Sequence, residues 1–167
     1  MVRTLSAEFT SENRSMPFRP SGFLVEWKNM NFEICVRGII IKNRKILVCK
    51  NKKKNFYYFP GGHVDFGEDA ERALIRELKE ELNLSVKKVS FMGVNENFFH
   101  DEDGKHHEIN LVFKVSVNKV RDKSMEDYID FFFFDIKKFT KEKVLPVAIQ
   151  KNILKWLKNK KIFWTSI

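Results

Sequence analysis

Three glutamates, Glu77, Glu80 and Glu81, lie within one predicted helical turn of this 167-residue chain. Residues at positions i, i+3 and i+4 share one side of a helix, so these carboxylates are neighbours that repel one another. A hard divalent cation with oxygen ligands relieves such repulsion. The Gly61–Gly62 pair just upstream provides a backbone that a phosphate or a metal ion can approach closely. The pattern therefore predicts a site that holds Mg²⁺ or Mn²⁺ against a polyphosphate.

The spacing of these residues resembles the Nudix box, the sequence signature of the Nudix hydrolases. The matching positions are Gly62, Glu68, Arg76–Glu77–Leu78, Glu80–Glu81 and Leu84. One position departs from the pattern, because Asn83 stands where the family usually has glycine. Asn adopts the left-handed conformation that ends a helix more readily than most residues, so we interpret the exchange as tolerated.

The resemblance implies a role for each matching residue. Glu77, Glu80 and Glu81 would be metal ligands, together with the backbone carbonyl of Gly61. The base that deprotonates water would be a box glutamate, such as Glu77 or Glu80, or a carboxylate from another loop. For that loop carboxylate the best candidate is Glu108 in the run HHEINLVF, and Glu96 is a weaker one. Glu68 and Arg76 would be structural, with Arg76 orienting glutamates through charge-assisted hydrogen bonds.

Three residues are candidates for substrate binding, and each has a structural alternative. Arg37 lies among apolar residues and needs a partner, which is either a substrate phosphate or a core carboxylate. Tyr57 precedes Pro60–Gly61–Gly62, where its ring could stack on a base or pack in the core. Gly62 could let a phosphate approach the backbone.

Two further patterns have plainer interpretations. A solvated surface helix would be as rich in Glu, Lys and Arg as residues 68–82, but the glycine pair and the spacing of Glu68 favour metal binding. We interpret His106 and His107 as loop residues. Zinc is not expected, since Cys35 and Cys49 do not pair with these histidines at ligand spacing.

The spacing of apolar residues predicts the strands and helices that must position these residues. Residues 32–41 and 46–50 predict a β-hairpin, 56–59 a short strand, and 86–99 and 108–117 two more strands. Asp65 and Glu68 are a candidate capping box for the helix with the glutamates. Pro146 suits the first turn of a last helix. Residues 128–136 predict a strand whose four phenylalanines, 131–134, belong to the core.

This mixture of strands and helices predicts an α/β protein. The resemblance implies an α/β/α sandwich with a mixed β-sheet, in which the box forms a loop–helix–loop. We assign residues 30–167 to one Nudix domain. Residues 1–29 form an N-terminal extension without recognisable chemistry, and Met30 could be an alternative start.

Composition and charge limit the classes of partner that we expect this chain to bind. A net charge of +9 favours anionic partners, but the lysines are spread along the chain, so RNA is not the favoured partner. No segment has the apolar length of a membrane span, and the N-terminus lacks the apolar core of a secretory signal. Two cysteines in apolar runs predict buried free thiols and a cytoplasmic location. Many relatives dimerise, and the sequence leaves the oligomeric state open.

The function implied is metal-dependent hydrolysis of a diphosphate linkage in a nucleoside diphosphate derivative: ADP-ribose, a nucleoside diphosphate sugar or a nucleoside triphosphate. Two alternatives stay open. One is a pyrophosphohydrolase acting on the 5′ end of RNA, and the other is a nucleotide-binding Nudix module without catalysis.

Overall fold

A computed structural model describes residues 30–53, 56–118 and 127–166, so the N-terminal extension lies outside the described residues. The strands are β1 (Met30–Lys42), β2 (Lys45–Asn51), β3 (Tyr57–Tyr58), β4 (Val86–Asp101), β5 (Gly104–Val117), β6 (Ile129–Asp135), β7 (Val144–Leu145) and β8 (Phe163–Ser166). The helices are α1 (Ala70–Leu82), α2 (Ile136–Lys141) and α3 (Val147–Asn159). None of these helices is long and apolar enough to cross a membrane.

Strand β1 is the centre of a mixed sheet with the order β7-β3-β2-β1-β5-β4-β8, to which β6 is added through β2. It pairs in parallel with β5 from Met30 to Ile40, and it turns back antiparallel to β2 at Ile41 and Lys42. Strands β4 and β5 form a long antiparallel hairpin. The sheet is therefore mixed, as predicted.

Two apolar clusters lie on opposite faces of this sheet and make the molecule three-layered. The first joins α1 to the sheet through Ala73, Leu74, Leu78 and Leu82. The second joins α2 and α3 to the other face through Phe139, Ile149 and Ile153. This arrangement confirms the predicted α/β/α architecture.

Several local predictions need correction. Asp69, not Asp65, caps α1, because its side chain accepts the Arg72 N–H at 2.9 Å. Residues 65–68 form a separate turn in which Glu68 N–H donates to the Asp65 carbonyl. Pro146 is the N-terminal cap of α3 and not a residue of its first turn.

The phenylalanine run is only partly core. Phe132 and Phe134 share one face of β6, but Phe134 is 1% exposed within the cluster that packs on α2 and α3, whereas Phe132 is 36% exposed. Phe131 and Phe133 point to the opposite face, where they are partly buried against the α1 cluster. The short strands β7 and β8 were not predicted, because two to four residues give too little periodicity to recognise.

Candidate active site

The loop before α1 runs antiparallel to β1 and is fixed to it by backbone hydrogen bonds. Val36 N–H donates to the Gly62 carbonyl at 2.9 Å, and Gly38 N–H donates to the Pro60 carbonyl at 2.8 Å. Gly61 has φ of 132° and lies so close to β1 that a Cβ there would be 2.1 Å from the Val36 carbonyl oxygen. Only glycine fits this position, which sets the path of the loop.

Helix α1 is oriented by the same strand. A Cβ on Gly38 would lie 3.3 Å from a Leu74 methyl group and 3.5 Å from a Leu78 methyl group, so the helix packs close to β1. The helix ends at Asn83, which has φ 48° and ψ 43° and donates its N–H to the Leu78 and Lys79 carbonyls. Buried leucines on one face therefore leave the glutamates at the border between core and solvent.

Two of the three glutamates contact the glycine pair. The Gly61 N–H donates to Glu81 Oε2 at 3.3 Å. The Glu77 carboxyl group occupies the place of a side chain on Gly62, because a Cβ there would lie 2.4 Å from the carboxyl carbon. The third, Glu80, is 57% exposed at the rim. The loop and the helix thus bring the carboxylates of Glu77 and Glu81 against the glycine pair.

Arg76 holds this carboxylate group together. Its guanidinium donates to Glu68 at 2.9 and 3.1 Å, to Glu77 at 2.7 Å and to Glu80 at 3.4 Å. A further hydrogen bond of 3.1 Å reaches the His63 carbonyl. The hydrogen bond from Arg76 lowers the pKa of Glu68, and the bonds to Glu68 and Glu77 raise the pKa of Arg76. These contacts fit the orienting role expected for Arg76 and the structural one for Glu68.

The donor set fits a hard divalent cation. Oxygens of Glu77, Glu80 and Glu81 and the carbonyl of Gly61 are the ligand types that Mg²⁺ and Mn²⁺ prefer. The Glu77 carboxylate can occupy its position only because Gly62 has no side chain. Arg76 neutralises part of the repulsion and donates to only one oxygen of Glu77 and one of Glu80, so the other oxygen of each is available to a cation.

A second group of polar side chains lies beside the loop of residues 59–69 between β3 and α1, called the box loop below. Glu108 on β5 is 8% exposed and faces Arg37 on β1, with 3.6 Å between Arg37 Nη2 and Glu108 Oε1. Its other oxygen accepts the side-chain amides of Asn110 at 3.1 Å and Asn97 at 3.3 Å. Arg37 also donates from Nε to Asn110 Oδ1 at 2.8 Å. Arg37 therefore has a core carboxylate as its partner, and that pair borders a cleft.

The cleft has a volume of about 680 Å³ and combines aromatic with polar lining. Such a size suits a small-molecule ligand. Its lining residues are Arg37, Asn51, Phe56, Tyr58, Asn97, Phe99, Asp101, Glu108, Leu145, Pro146 and Val147. Gly61 adjoins it, since a Cβ there would lie 3.3 Å from the Arg37 Cα atom. None of Glu77, Glu80 and Glu81 is among the cleft residues, and the link between them is Gly61, which contacts Glu81 on one side and the Arg37 backbone on the other.

The remaining sequence candidates are located elsewhere. Tyr57 is not among the cleft residues, and its ring packs edge-on against Phe134 at 4.7 Å between centroids. Glu96 pairs with His107 at 2.9 Å. His106 and His107 lie within β5, not in a loop. Burial raises the pKa of the Cys35 thiol to about 11, so this cysteine is no nucleophile at neutral pH.

Sequence reasoning missed the partners of Glu108. Asn110 follows Glu108 by two residues on a strand, so it shares a face with it, and this spacing was a usable signal. Asn97 reaches Glu108 only because the hairpin register pairs the two residues. No local pattern reveals that register.

Comparisons with known proteins agree with this geometry. The sequence model of the NUDIX domain family matches residues 33–157. An ADP-ribose pyrophosphatase of Methanocaldococcus jannaschii is 36% identical over 126 residues, which make up 74% of this chain and 73% of that protein. An RNA pyrophosphohydrolase of Ruthia magnifica is 42% identical over 57 residues, or 33% of this chain and 32% of that protein.

Solved structures show the same fold. A MutT protein from Bacillus halodurans has a TM-score of 0.64 at 17% identity, covering 80% of this chain and 88% of that one. An ADP-ribose pyrophosphatase from Streptococcus suis has a TM-score of 0.55 at 14% identity, covering 81% of this chain and 98% of that one.

Proposed function

We propose that this chain, which belongs to the Nudix family and is a hydrolase of phosphoric anhydrides, cleaves the diphosphate bridge of a nucleoside diphosphate sugar of the ADP-ribose type. The observation that carries the substrate class is the aromatic cleft of about 680 Å³ beside the box loop. A nucleoside and a sugar fill a cleft of this size, whereas a long RNA needs an extended basic groove. The similarity to the M. jannaschii ADP-ribose pyrophosphatase supports the same class.

In this proposal Mg²⁺ or Mn²⁺ binds to Glu77, Glu80, Glu81 and the Gly61 carbonyl. The bound cation would neutralise diphosphate oxygens and lower the pKa of a coordinated water. Arg37 and the backbone at Gly62 contact phosphate oxygens. Tyr57 packs into the core, so we assign stacking on the base to Tyr58 and Phe56, which line the cleft.

The chemical step needs a base, and Glu108 is our first choice. Two side-chain amides and Arg37 hold its carboxylate in one orientation at the border of the cleft. Glu108 would accept a proton from the attacking water while the water oxygen bonds to phosphorus and the bridging P–O bond breaks. The products are a nucleoside monophosphate and a sugar phosphate. Glu77 and Glu80 are the alternative bases.

Two other functions compete with this one. A binding module without catalysis would not need all the box glutamates, and here they are present with Arg76 among them. An RNA pyrophosphohydrolase is supported by the match to the R. magnifica enzyme, but that match spans only 33% of this chain. We also propose a cytoplasmic location, which the free buried thiols of Cys35 and Cys49 support.

The first experiment is product analysis with Mg²⁺ and with Mn²⁺ across several substrates. The panel contains ADP-ribose, other nucleoside diphosphate sugars, nucleoside triphosphates, dinucleoside polyphosphates and 5′-triphosphorylated RNA. We expect metal-dependent release of a nucleoside monophosphate from a nucleoside diphosphate sugar, with the highest kcat/KM in the panel. A higher kcat/KM for the RNA, or no cleavage of any substrate, would contradict the proposal.

Substitution of Glu81 tests the metal site itself. Glu81→Gln removes a ligand charge but keeps the shape, so we expect turnover to fall about 10²-fold or more while the fold is retained. Glu71→Gln is the matched control, because Glu71 is exposed in the first turn of the same helix. Full turnover by Glu81→Gln in steady-state assays would refute the assignment.

A further inference from the structure

A second group of potential ligands lies on β1 and the box loop. Cys35 on β1 pairs with His63 across an antiparallel bridge, so their side chains are neighbours. Glu33 precedes Cys35 by two residues and shares its face of the strand. His63 Nε2 lies 3.3 Å from Glu33 Oε2, and one donor atom from each of these three residues lies within 4.8 Å of the others. Sequence spacing gave no reason to expect zinc, because it does not reveal this bridge.

This group faces away from the box glutamates. Consecutive residues of an extended segment point to opposite faces. The vacant side-chain position of Gly62 points at Glu77, so the next residue, His63, points to the other side of the loop. His63 thus adjoins the glycine pair in sequence, but its side chain and the Glu77 carboxylate lie on opposite sides of the loop.

His106 supplies an independent observation. Its side chain is 9% exposed, its ring stacks on Phe99 at 4.6 Å, and its Nε2 lies 2.9 Å from Asp101 Oδ1. Its Nδ1 points toward Glu33 Oε1 at 3.6 Å, which is beyond hydrogen-bond length. Among the described residues, none forms a hydrogen bond with this buried nitrogen. An orphaned buried polar atom calls for an explanation, and here it is aimed at the cluster.

The charges on this face also favour a cation. Register pairing places Glu33 of β1 beside Glu108 of β5, and Asp101 borders the same region. Arg37 pairs with Glu108, and within the part of the chain that the structure describes the ion-pair partners of Glu33 are His63 and His106. With neutral histidines, these named side chains hold three negative charges and one positive charge.

We propose that Glu33, Cys35 and His63 form a zinc site, and that His106 holds the Glu33 carboxylate in place. A thiolate, an imidazole and a carboxylate together suit Zn²⁺, whereas Mg²⁺ prefers oxygen alone. Zinc draws such atoms to about 3.3–3.8 Å from one another, because Zn–S bonds are about 2.3 Å and Zn–N bonds about 2.0 Å long. The present spacing requires only a small contraction.

Binding would form a zinc–sulfur bond and release the Cys35 proton to solvent. Water fills the fourth position. His63 is 65% exposed and gives the ion a path to the buried sulfur. His106 would act as an outer partner that fixes the ligating carboxylate through its other oxygen, as such partners do in known sites.

Cobalt(II) in place of zinc gives a direct test, because a thiolate ligand adds a charge-transfer absorption band that oxygen ligands do not. The full chain is stripped of metal and titrated with Co²⁺ in excess Mg²⁺, which keeps the box glutamates occupied. We expect the band to saturate at one equivalent of Co²⁺ and to disappear when Zn²⁺ is added. Cys35→Ala should abolish it, and the matched variant Cys49→Ala should keep it.

His63 is exposed, so a substitution there tests the zinc site without disturbing core packing. Loss of a residue that only orients a metal ligand weakens metal binding about 10- to 100-fold, and we expect this for His106→Gln. His63 is a proposed ligand itself, so His63→Gln should weaken Co²⁺ binding more than about 100-fold. His100→Gln, exposed on β4, is the control and should bind as the wild type does. Glu81→Gln should keep the band, so the result is independent of catalysis. A missing band in the wild type, or unchanged affinity in His63→Gln, overturns the proposal.

Discussion

Gly62 leaves room for a carboxylate, because a Cβ atom at this position would lie 2.4 Å from the Glu77 carboxyl carbon. The obstacle is the far end of a flexible side chain and not backbone. A methyl group there would displace the Glu77 carboxylate without disturbing β1, so we expect an effect on metal binding and not on folding.

We therefore predict that Gly62→Ala raises the Mg²⁺ concentration needed for half-maximal activity by about tenfold or more, with little change in Tm. Gly67→Asn is the control: Gly67 has φ of 84°, nothing lies within 4 Å of its Cβ position, and Asn tolerates left-handed backbone. Metal titration of activity and thermal unfolding measure the two effects. An unchanged metal requirement in Gly62→Ala would show that Glu77 is no ligand.

Arg76 differs from a simple counterion because its planar fork reaches three glutamates at once. Lysine keeps the charge but cannot make these parallel hydrogen bonds. Arg76→Lys should lower kcat/KM about 10- to 100-fold, in line with other outer partners of metal ligands. Arg72→Lys, at an exposed residue that pairs with Asp69, should retain wild-type kinetics. Equal kinetics for the two variants would remove Arg76 from the site.

For individual residues, the sequence predicted contacts between residues that are close together in the chain. The contacts of Arg76 with Glu68, Glu77 and Glu80 join residues at most eight positions apart, and the box pattern predicts them. The hydrogen bond from Asn97 to Glu108 depends on a strand register that no short pattern encodes. The position of Tyr57 before the glycines left stacking on a base and packing in the core as alternatives, and the structure shows its ring packed against Phe134.

Among the secondary-structure elements, α1 has a C-terminal cap formed by one residue. Asn83 adopts a left-handed conformation and donates its N–H to carbonyls of the last turn. This geometry confirms that Asn replaces the family's glycine without loss of the helix end. The carboxylates of Glu80 and Glu81 lie in the turn that this cap completes.

We expect Asn83→Ala to lower the free energy of unfolding by about 1 kcal/mol, because a Cβ without a polar group is strained at positive φ. Asn83→Gly should stay within about 0.5 kcal/mol of the wild type, since glycine has no such strain and loses only chain entropy. Denaturant unfolding gives both values. Lys79→Ala on the same helix, where φ is helical, is the control, and a similar loss there would refute the argument from backbone strain.

Over the whole molecule, a net charge of +9 attracts anions. Added salt screens this attraction, so kcat/KM for a nucleoside diphosphate sugar should fall several-fold between about 50 and 200 mM NaCl at fixed Mg²⁺. Sucrose at equal osmolality is the control and should have little effect. An RNA substrate would show a much steeper decline, of the order of 10³-fold, because many phosphates are neutralised together.

The architecture was predictable because apolar periodicity and the box together specify a sheet between helices. Strands of seven or more residues were found near their true positions, whereas β7 and β8 were missed. The three-layer arrangement follows from the amphipathic faces of α1 and α3, which need opposite sides of one sheet. The register between β1 and β5 joins residues far apart in sequence, so it could not be predicted from the sequence and was found only in the three-dimensional structure.

That register also dictates an order of events during synthesis on the ribosome. Met30 pairs with Lys105 and Ile40 with Val115, so β1 has no parallel partner until β5 has left the exit tunnel. Closing so long a loop carries an entropic cost that local pairing cannot offset, which delays β1 relative to the β4–β5 hairpin. The box loop is attached to β1, so we expect a nascent chain cut before β5 to lack the proposed metal site even though it contains every box glutamate.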